Sequence, residues 1–548
     1  MAGISHIFNI ARSGIQAHQQ GLATTSHNIT NINTKGYSRQ EVVLETKRPG
    51  EGTIGSGVQV GAIRRSVDPF LENQLTAVNE DLGFMTARTN FLVQTDGLFS
   101  ETEQSGVSYS VTEFFNALRD VATNPESAIP RTVLLGKARS LTDAFVTQGQ
   151  ALTQIRLDAD GEIGRHVETI NGLAVRIASL NDEIFKAESN GREAPDLRDQ
   201  RGVLINDLAE LVDIEQVALR DGIGINVGGQ LLVGGNHANS LSTEPDPDNP
   251  PLHEVTFVRS DGSEISISDK IHGGKIGGLL ALRDGDIVGF QDRVDRLAAV
   301  LINEFNQQHQ SGYSLDGTTN NVFFSALVPQ APLASDRNTG NAIGSSVTIA
   351  DPTLVTFQNY EVRFTGVSAY SVVNTATGAT VTSGAYTSGS PISFDGLDVI
   401  VTGTPAAGDF FYVSAQKGAA QGFGVALSNT DKIAAASTVA GIPGDNTNAL
   451  TLVGIHTNRQ VDLGNVTLND YHTITIGDVG SATRESKLAL NNKNLESDQM
   501  TALRESVSGV SLDEELTNLL SFQRSFEASA RMITVADELM QTILAMGG

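Results

Sequence analysis

The sequence predicts an α+β multidomain protein: an elongated helical-bundle rod closed by paired N- and C-terminal coiled-coil-like helices, with inserted β-rich domains. Three observations carry this. Both ends of the 548-residue chain bear a narrow apolar stripe stepping by four and three. Long segments with helical periodicity run between them. Two stretches rich in Gly, Val, Thr and Ser interrupt those segments with period-two alternation.

At the N-terminus the stripe is Ile4, Phe8, Ala11, Ile15, His18, Leu22, Thr25 and Ile29, with His18 and Thr25 as polar members. The helix should stop at HNITNINTKGYSRQE, residues 27–41. Asn28, Asn31 and Asn33 crowd its end, Gly36 supplies a turn, and Tyr37 begins an extended run. At the C-terminus Leu512, Leu516, Leu519, Gln523, Phe526, Ala530, Ile533, Asp537, Met540 and Leu544 repeat the step. Ser511-x-x-Glu514 is a capping box, with Asp513, Glu514 and Glu515 in the positive first turn. Each stripe is too thin to be stable alone. The ends are therefore expected to pair with each other and with copies in neighbouring subunits, ordering on assembly. Phe8, Ile15 and Leu22 would face Leu516, Leu519, Phe526 and Ile533. The plainer alternative is two amphipathic helices docked on a conventional core.

Inward from the ends, Asp68-Pro69 reads as the cap and first position of a helix running past Leu92. Ser110-x-x-Glu113 reads as the cap of a second, stopped near Pro125. A very long helical stretch spans Pro130 to about Glu188 and ends at Asn190-Gly191, and another helix spans Asp196 to Leu211. Residues 213–275 alternate as β structure, with a hairpin about Asp261-Gly262 and a Pro-rich loop at 244–251. Helix returns over about 276–308, and again from about Asn465 to Ser506. Residues 322–417 are poor in charge and rich in Thr, Ser, Val and Gly, which predicts an inserted all-β unit. The expected division is a terminal assembly domain (1–50 with 508–548), a bundle domain (51–321 with 418–507, including the β excursion), and an outer β domain at 322–417.

The net charge of −26 disfavours nucleic acid, whose phosphates need clustered Lys and Arg. It also means that copies of the chain repel one another unless contacts overcome the repulsion. The absence of cysteine removes disulfides, Cys-zinc sites and thiol chemistry. No run of 18 apolar residues exists, so membrane insertion is not expected. MAGISHIFNIARSGIQAHQQ lacks the basic start and continuous apolar core of a Sec signal. No H-E-x-x-H, G-x-x-x-x-G-K-[ST], G-x-S-x-G or EF-hand loop occurs, and Asp221-Gly-Ile-Gly-Ile-Asn-Val-Gly-Gly reads as a strand and turn. No catalytic residue, cofactor or metal is predicted, and the protein is not expected to be an enzyme.

HNITNINTKGYSRQ resembles the N-terminal signature of the flagellar axial proteins, the rod, hook and hook-associated families. SGVSLDEELTNLLSFQRSFEASARMITVADELMQTIL, NEFNQQHQSGYSLDG (303–317) and DLRDQRGVLINDLAELVDI (196–214) resemble the hook-associated family that caps the hook and joins it to the filament. The usual Ala- and Asn-rich helix end is here Ser26-His27-Asn28-Ile29-Thr30-Asn31. The resemblance implies a structural subunit exported unfolded by the flagellar type III apparatus and held beforehand by an export chaperone. It would polymerise at the hook tip as a ring of about eleven copies. Its partners would be itself, hook protein and the second junction protein. It would be cytoplasmic before export and extracellular afterwards. The assembly interface would comprise Ile4, Phe8, Ile15, Leu22, Ile29, Leu512, Leu516, Leu519, Phe526, Ile533 and Met540. The helix-end turn would be Asn28, Asn31, Asn33, Gly36 and Tyr37. Two other readings stay open: another axial subunit (hook or distal rod protein), and an adhesin or enzyme acting through the β insertion.

Overall fold

The computed structural model describes residues 2–47, 55–101, 104–189, 191–259 and 261–546, with side chains from residue 5 onward. Helix α1 (Ala2–Thr30) leads through the Asn-rich turn into a hairpin of β1 (Gln40–Thr46) and β2 (Val58–Arg65), which the sequence pattern did not foretell beyond an extended start. Helix α2 (Pro69–Phe99) begins at the expected cap: the Phe70 N–H donates to Asp68 at 2.9 Å. Helix α3 (Val107–Thr123) starts before the expected box. The Val107 and Ser108 N–H groups donate to Glu101 at 2.6 and 3.3 Å, and Ser110 lies inside the helix. A carboxylate from the preceding loop does the capping that the S-x-x-E pattern suggested.

Helix α4 (Ala128–Glu188) is 61 residues long. At 1.5 Å per residue that is about 90 Å, which sets the length of the rod. Leu134, Leu141, Phe145, Leu152, Ile163, Ile170 and Ile177 keep one face of it buried throughout. Helix α5 (Pro195–Ala209) folds back against it. The β excursion is two antiparallel sheets. The first is β3 (Glu215–Leu219), β4 (Gly222–Val227), β5 (Gln230–Gly234) and β6 (His237–Ala238); the second is β7 (Ser240–Pro245), β8 (His253–Val258) and β9 (Glu264–Ser266).

The helix expected over about 276–308 is broken. Helices α6 (Gly274–Ala281) and α7 (Ile287–Ser311) are joined by a π turn at Leu282–Asp286. There Arg283, 1% exposed, donates to Asp160 and to the His253 carbonyl, both at 2.6 Å. Arg88 forks onto Asp286 at 2.7 and 3.0 Å. Paired charges hold this turn, and apolar periodicity carries no trace of them.

The inserted β unit comprises β10 (Leu333–Ala334), β11 (Ile343–Ile349), β12 (Asn359–Gly366), β13 (Ala369–Asn374), β14 (Thr380–Ala385), β15 (Pro391–Phe394), β16 (Leu397–Thr402) and β17 (Phe410–Ser414). They form sheets ordered β10-β17-β12-β13-β14 and β11-β16-β15. Val347, Val362, Phe364, Val372, Val399, Val401 and Phe411 fill its core. The chain returns through α8 (Thr447–Thr457), which was not expected, to α9 (Leu468–Ser508) beside α2 and α10 (Leu512–Met546) beside α1.

The segment NEFNQQHQSGYSLDG fastens the crossover into the β unit. Asn306 donates to the Phe324 carbonyl and accepts from the Phe323 and Phe324 N–H groups. His309 lies between the Asn321 carbonyl at 2.7 Å and the Ala434 N–H at 3.0 Å, and burial pushes it down to about 4, so it is neutral. Phe114, Phe305, Phe323, Phe324 and Phe423 pack around this point with their rings steeply inclined to one another.

Two rod carboxylates hold the two ends of the insertion. Asp248 accepts the Asp336 N–H at 2.6 Å on the way in. Asp295 accepts the Gly418 and Ala420 N–H groups at 2.8 and 2.9 Å on the way out. Burial pushes Asp295 up to about 6; burial and the neighbouring Asp336 do the same to Asp248. A carboxyl raised on folding binds its proton more tightly when folded. Its cost is present at pH 7–8, falls as pH drops through 6, and is gone below about 4. Local stability at residues 416–421 should therefore rise by about 1.4 kcal/mol between pH 8 and pH 5. Hydrogen exchange there checks it; Asp295→Asn should flatten the pH dependence, and stability falling with acid would contradict the assignment.

Candidate assembly interface

The terminal helices pair antiparallel in heptad register. Asn28 meets Glu515; a Cβ on Gly21 would meet the Phe522 ring at 2.7 Å, and one on Gly14 would meet Ser529 at 2.8 Å. Each step of seven up α1 thus matches seven down α10. The buried face of α1 is Ala11, Gly14, Ala17, Gly21, Thr24, Thr25 and Asn28. On α10 only Glu515, Ser529 and Ala536 are buried.

This seam lies one residue off half of the expected positions. Phe8, Ile15, Leu22 and Ile29 are half-buried flanks, while Gly14, Gly21 and Asn28 take the inner places. Leu519, Phe526 and Ile533 are half-buried at the seam; Leu512 and Met540 continue the same heptad position at its two ends and are exposed, and Leu516, rotated off the seam, is exposed. The expected facing of Ile15 and Leu22 onto Leu516 is therefore corrected. The Ser529 and Phe522 side chains seated against two glycines decide the rotation, and a hydropathy stripe weights large side chains over the small ones that permit such contact. The Ile4 side chain lies outside the described residues.

At the base of the pair the helix-end turn becomes a polar node. Asn28, 1% exposed, uses its whole amide: it donates to the Gln40 carbonyl (2.9 Å) and Glu515 (3.0 Å), and accepts from the Gln40 N–H (3.0 Å) and the Tyr37 hydroxyl (2.8 Å). Burial, and then Asp196, Asp199 and Glu515, push the Tyr37 hydroxyl up, so it stays a donor. Arg39 donates to Glu515 at 3.0 Å and Glu514 at 2.9 Å, and its N–H caps the Ser508 carbonyl that ends α9. Glu515 is 2% exposed, so its charge depends on Arg39 and Asn28.

The same turn is tied to the rod. The Ser38 N–H donates to Asp199 at 2.8 Å, which also takes Arg65 at 2.8 Å. Arg504 donates to Glu72 and to the Gly36 carbonyl, both at 3.0 Å. Gly36 has φ +78°, and a Cβ there would meet Val203 at 2.2 Å, so a side chain there would be both strained and crowded. Asn31 folds back on His27 at 3.0 Å, and Asn33 is exposed. Sequence reasoning missed Arg39, Asp199, Arg504 and Glu515 as members of the site. Glu515 read only as an acid in the positive first turn of its helix; the available signal was the heptad Gly14, Gly21, Asn28. Among the described residues no group of His, Asp or Glu is placed to hold a metal, and no helix is long and apolar enough to cross a membrane.

Arg39→Ala would leave Glu515 buried with Asn28 alone, at a cost of about 3 kcal/mol. Exchange of amides in 20–30 and 512–525 should quicken roughly 100-fold. Arg39→Lys should restore only part of it, because Lys loses the fork onto two carboxylates. Unchanged exchange in Arg39→Ala would refute the node. Gly21→Leu should push α10 off α1, at a cost of about 1–3 kcal/mol, seen as exchange confined to the two helices.

A model of the flagellar hook-associated protein FlgK helical domain matches residues 92–324, and one of the flagellar hook-associated protein 1 D2-like domain matches 333–415. Models of the flagella basal body rod protein and of the flagellar basal body rod FlgEFG protein C-terminal region match 8–37 and 504–546. Flagellar hook-associated protein 1 of Escherichia coli (strain K12) is 31% identical over 99% of this chain and 100% of its own length. That of Salmonella typhimurium is 32% identical, with the same coverage of 99% and 100%. The solved flagellar hook junction protein FlgK from Burkholderia pseudomallei shares the fold, with a TM-score of 0.70 over 80% of this chain and 100% of that one at 22% identity. Asn28 and Tyr37 of the node lie within the first rod-protein match and Glu514 and Glu515 within the second, and the full-length identity places the whole chain: it belongs to the flagellar hook-associated protein 1 family.

Proposed function

We propose that this chain is a structural subunit of the bacterial flagellum that polymerises at the hook tip and joins hook to filament, without catalysing a reaction. The carrying observation is the apolar face of α10 that α1 leaves uncovered. Leu512, Leu516, Leu520, Val535, Leu539 and Leu544 are all between 46% and 66% exposed. These residues form one exposed apolar cluster towards each end of α10, with exposed Arg524, Glu527 and Arg531 between them. Large apolar side chains left in water this way mark a protein contact, and the thin intrachain seam leaves the helix pair in need of one.

In this reading residues 1–50 with 508–548 are the assembly domain, 51–321 with 418–507 the rod, and 322–417 an outer domain. Neighbouring copies cover the α10 face in a ring of about eleven subunits, a closed array of head-to-tail contacts. Hook protein lies below and the second junction protein above. The subunit leaves the cytoplasm unfolded through the flagellar type III apparatus, held until then by an export chaperone on its C-terminal region. An uncovered C-terminal helix with a cysteine-free chain is compatible with such handling.

Leu516→Asp with Leu539→Asp tests it. Both side chains are exposed, so folding stability should move by less than about 0.5 kcal/mol. The variant should be found folded in the medium and absent from isolated hooks, with motility lost. Incorporation at the unsubstituted level would contradict the reading.

A further inference from the structure

The C-terminal half of α9 carries no buried residue from Lys487 to Val507. Its ion pairs lie on one side, Lys493 to Asp81 at 2.8 Å and Arg504 to Glu72 at 3.0 Å, where Leu490 and Met500 are half-buried. On the other side Leu488, Asn492, Leu495, Gln499, Ala502 and Ser506 recur at steps of four and three, all exposed. Leu488 and Leu495 are each 60% exposed, and Leu503 beside them 44%. This is the spacing of a coiled-coil seam, with Leu, Leu and Ala at one heptad position and Asn, Gln and Ser at the other. Polar residues at such positions fix register at some cost in affinity.

Charge indicates what covers it. None of the six seam residues is ionisable, in a chain of net charge −26. Within 487–507 the charges cancel, with Lys487, Lys493 and Arg504 against Glu496, Asp498 and Glu505. A partner of other composition could exploit the acidic surface elsewhere. Two copies of this chain repel across most of their surfaces and can pack closely only where charge is absent or balanced. In the chain α9 ends at Ser508, and three residues separate it from the start of α10 at Leu512.

We propose that the Leu488–Ser506 face of α9 is a second, rod-level contact between neighbouring copies of this chain. It rests on the reading of the chain as a self-assembling subunit and extends that contact from the terminal helices up the rod. The seam accepts a helix of the neighbour, with Leu488 and Leu495 inserted and Asn492 and Gln499 setting the register.

A photoreactive benzoyl-phenylalanine replacing Leu495 tests it in intact flagella, with the same probe replacing Leu539 of α10 in a parallel strain. The expected product at position 495 is an adduct of two 58.0 kDa chains, detected with antibody to this protein. An adduct at 539 with none at 495, or with a product of another mass at 495, overturns this proposal and leaves the α10 reading standing. Adducts at neither position overturn both. A self-adduct at 495 alone supports the α9 contact and removes the α10 one. Leu488→Glu with Leu495→Glu should lower incorporation at least ten-fold with an unchanged unfolding curve; normal incorporation would also overturn the proposal.

Discussion

The buried carboxylate of Glu515 constrains everything around it. A charge 2% exposed survives only if it is paired and hydrogen-bonded, and the partners come from one short turn: Arg39 and Asn28. That requirement fixes where α10 starts against where α1 ends. It also fixes the path between them, because Asn28 holds Gln40 and Tyr37 while the Arg39 N–H closes the end of α9. Chain segments separated by 487 residues in sequence are thereby locked at one point. The heptad register of the helix pair follows from this origin, with Gly21 and Gly14 placed to receive Phe522 and Ser529.

A seam built on glycines has a consequence for what stays outside. Small residues let two backbones approach closely, but they bury little apolar area, and the burial that stabilises a helix pair scales with that area. Several large side chains of α10, Leu516, Leu520, Val535 and Leu539 among them, are left outside the seam. The pair is thus held firmly at its base by polar contacts and is incomplete along its length. This combination suits a helix that must keep its angle to the rod while offering its apolar face to a neighbour.

Much of this was legible. The caps at Asp68-Pro69, the 61-residue α4 and both β insertions follow from periodicity and turn chemistry, which depend on local sequence. What escaped depends on distant partners. The π turn at Leu282–Asp286 is held by Asp160 from another helix, and the cap of α3 is Glu101 from the loop before it. The seam was found to within one residue because apolar stripes weight Ile15 and Leu22 over Gly14 and Gly21. Of the turn residues, Asn28 and Gly36 have structural reasons visible only in three dimensions, and Asn33 has no partner that explains it.

The absence of native cysteine allows the most direct test of the central account, that the α10 face is covered by neighbouring copies and not by its own chain. Single cysteines replacing Leu516 and Leu539 would be labelled with a maleimide in the secreted free subunit and in isolated flagella. The account predicts rapid labelling at both positions in the free subunit and labelling slowed at least ten-fold in flagella. Equal labelling in the two states would mean the face remains in water after assembly, and the account would fail.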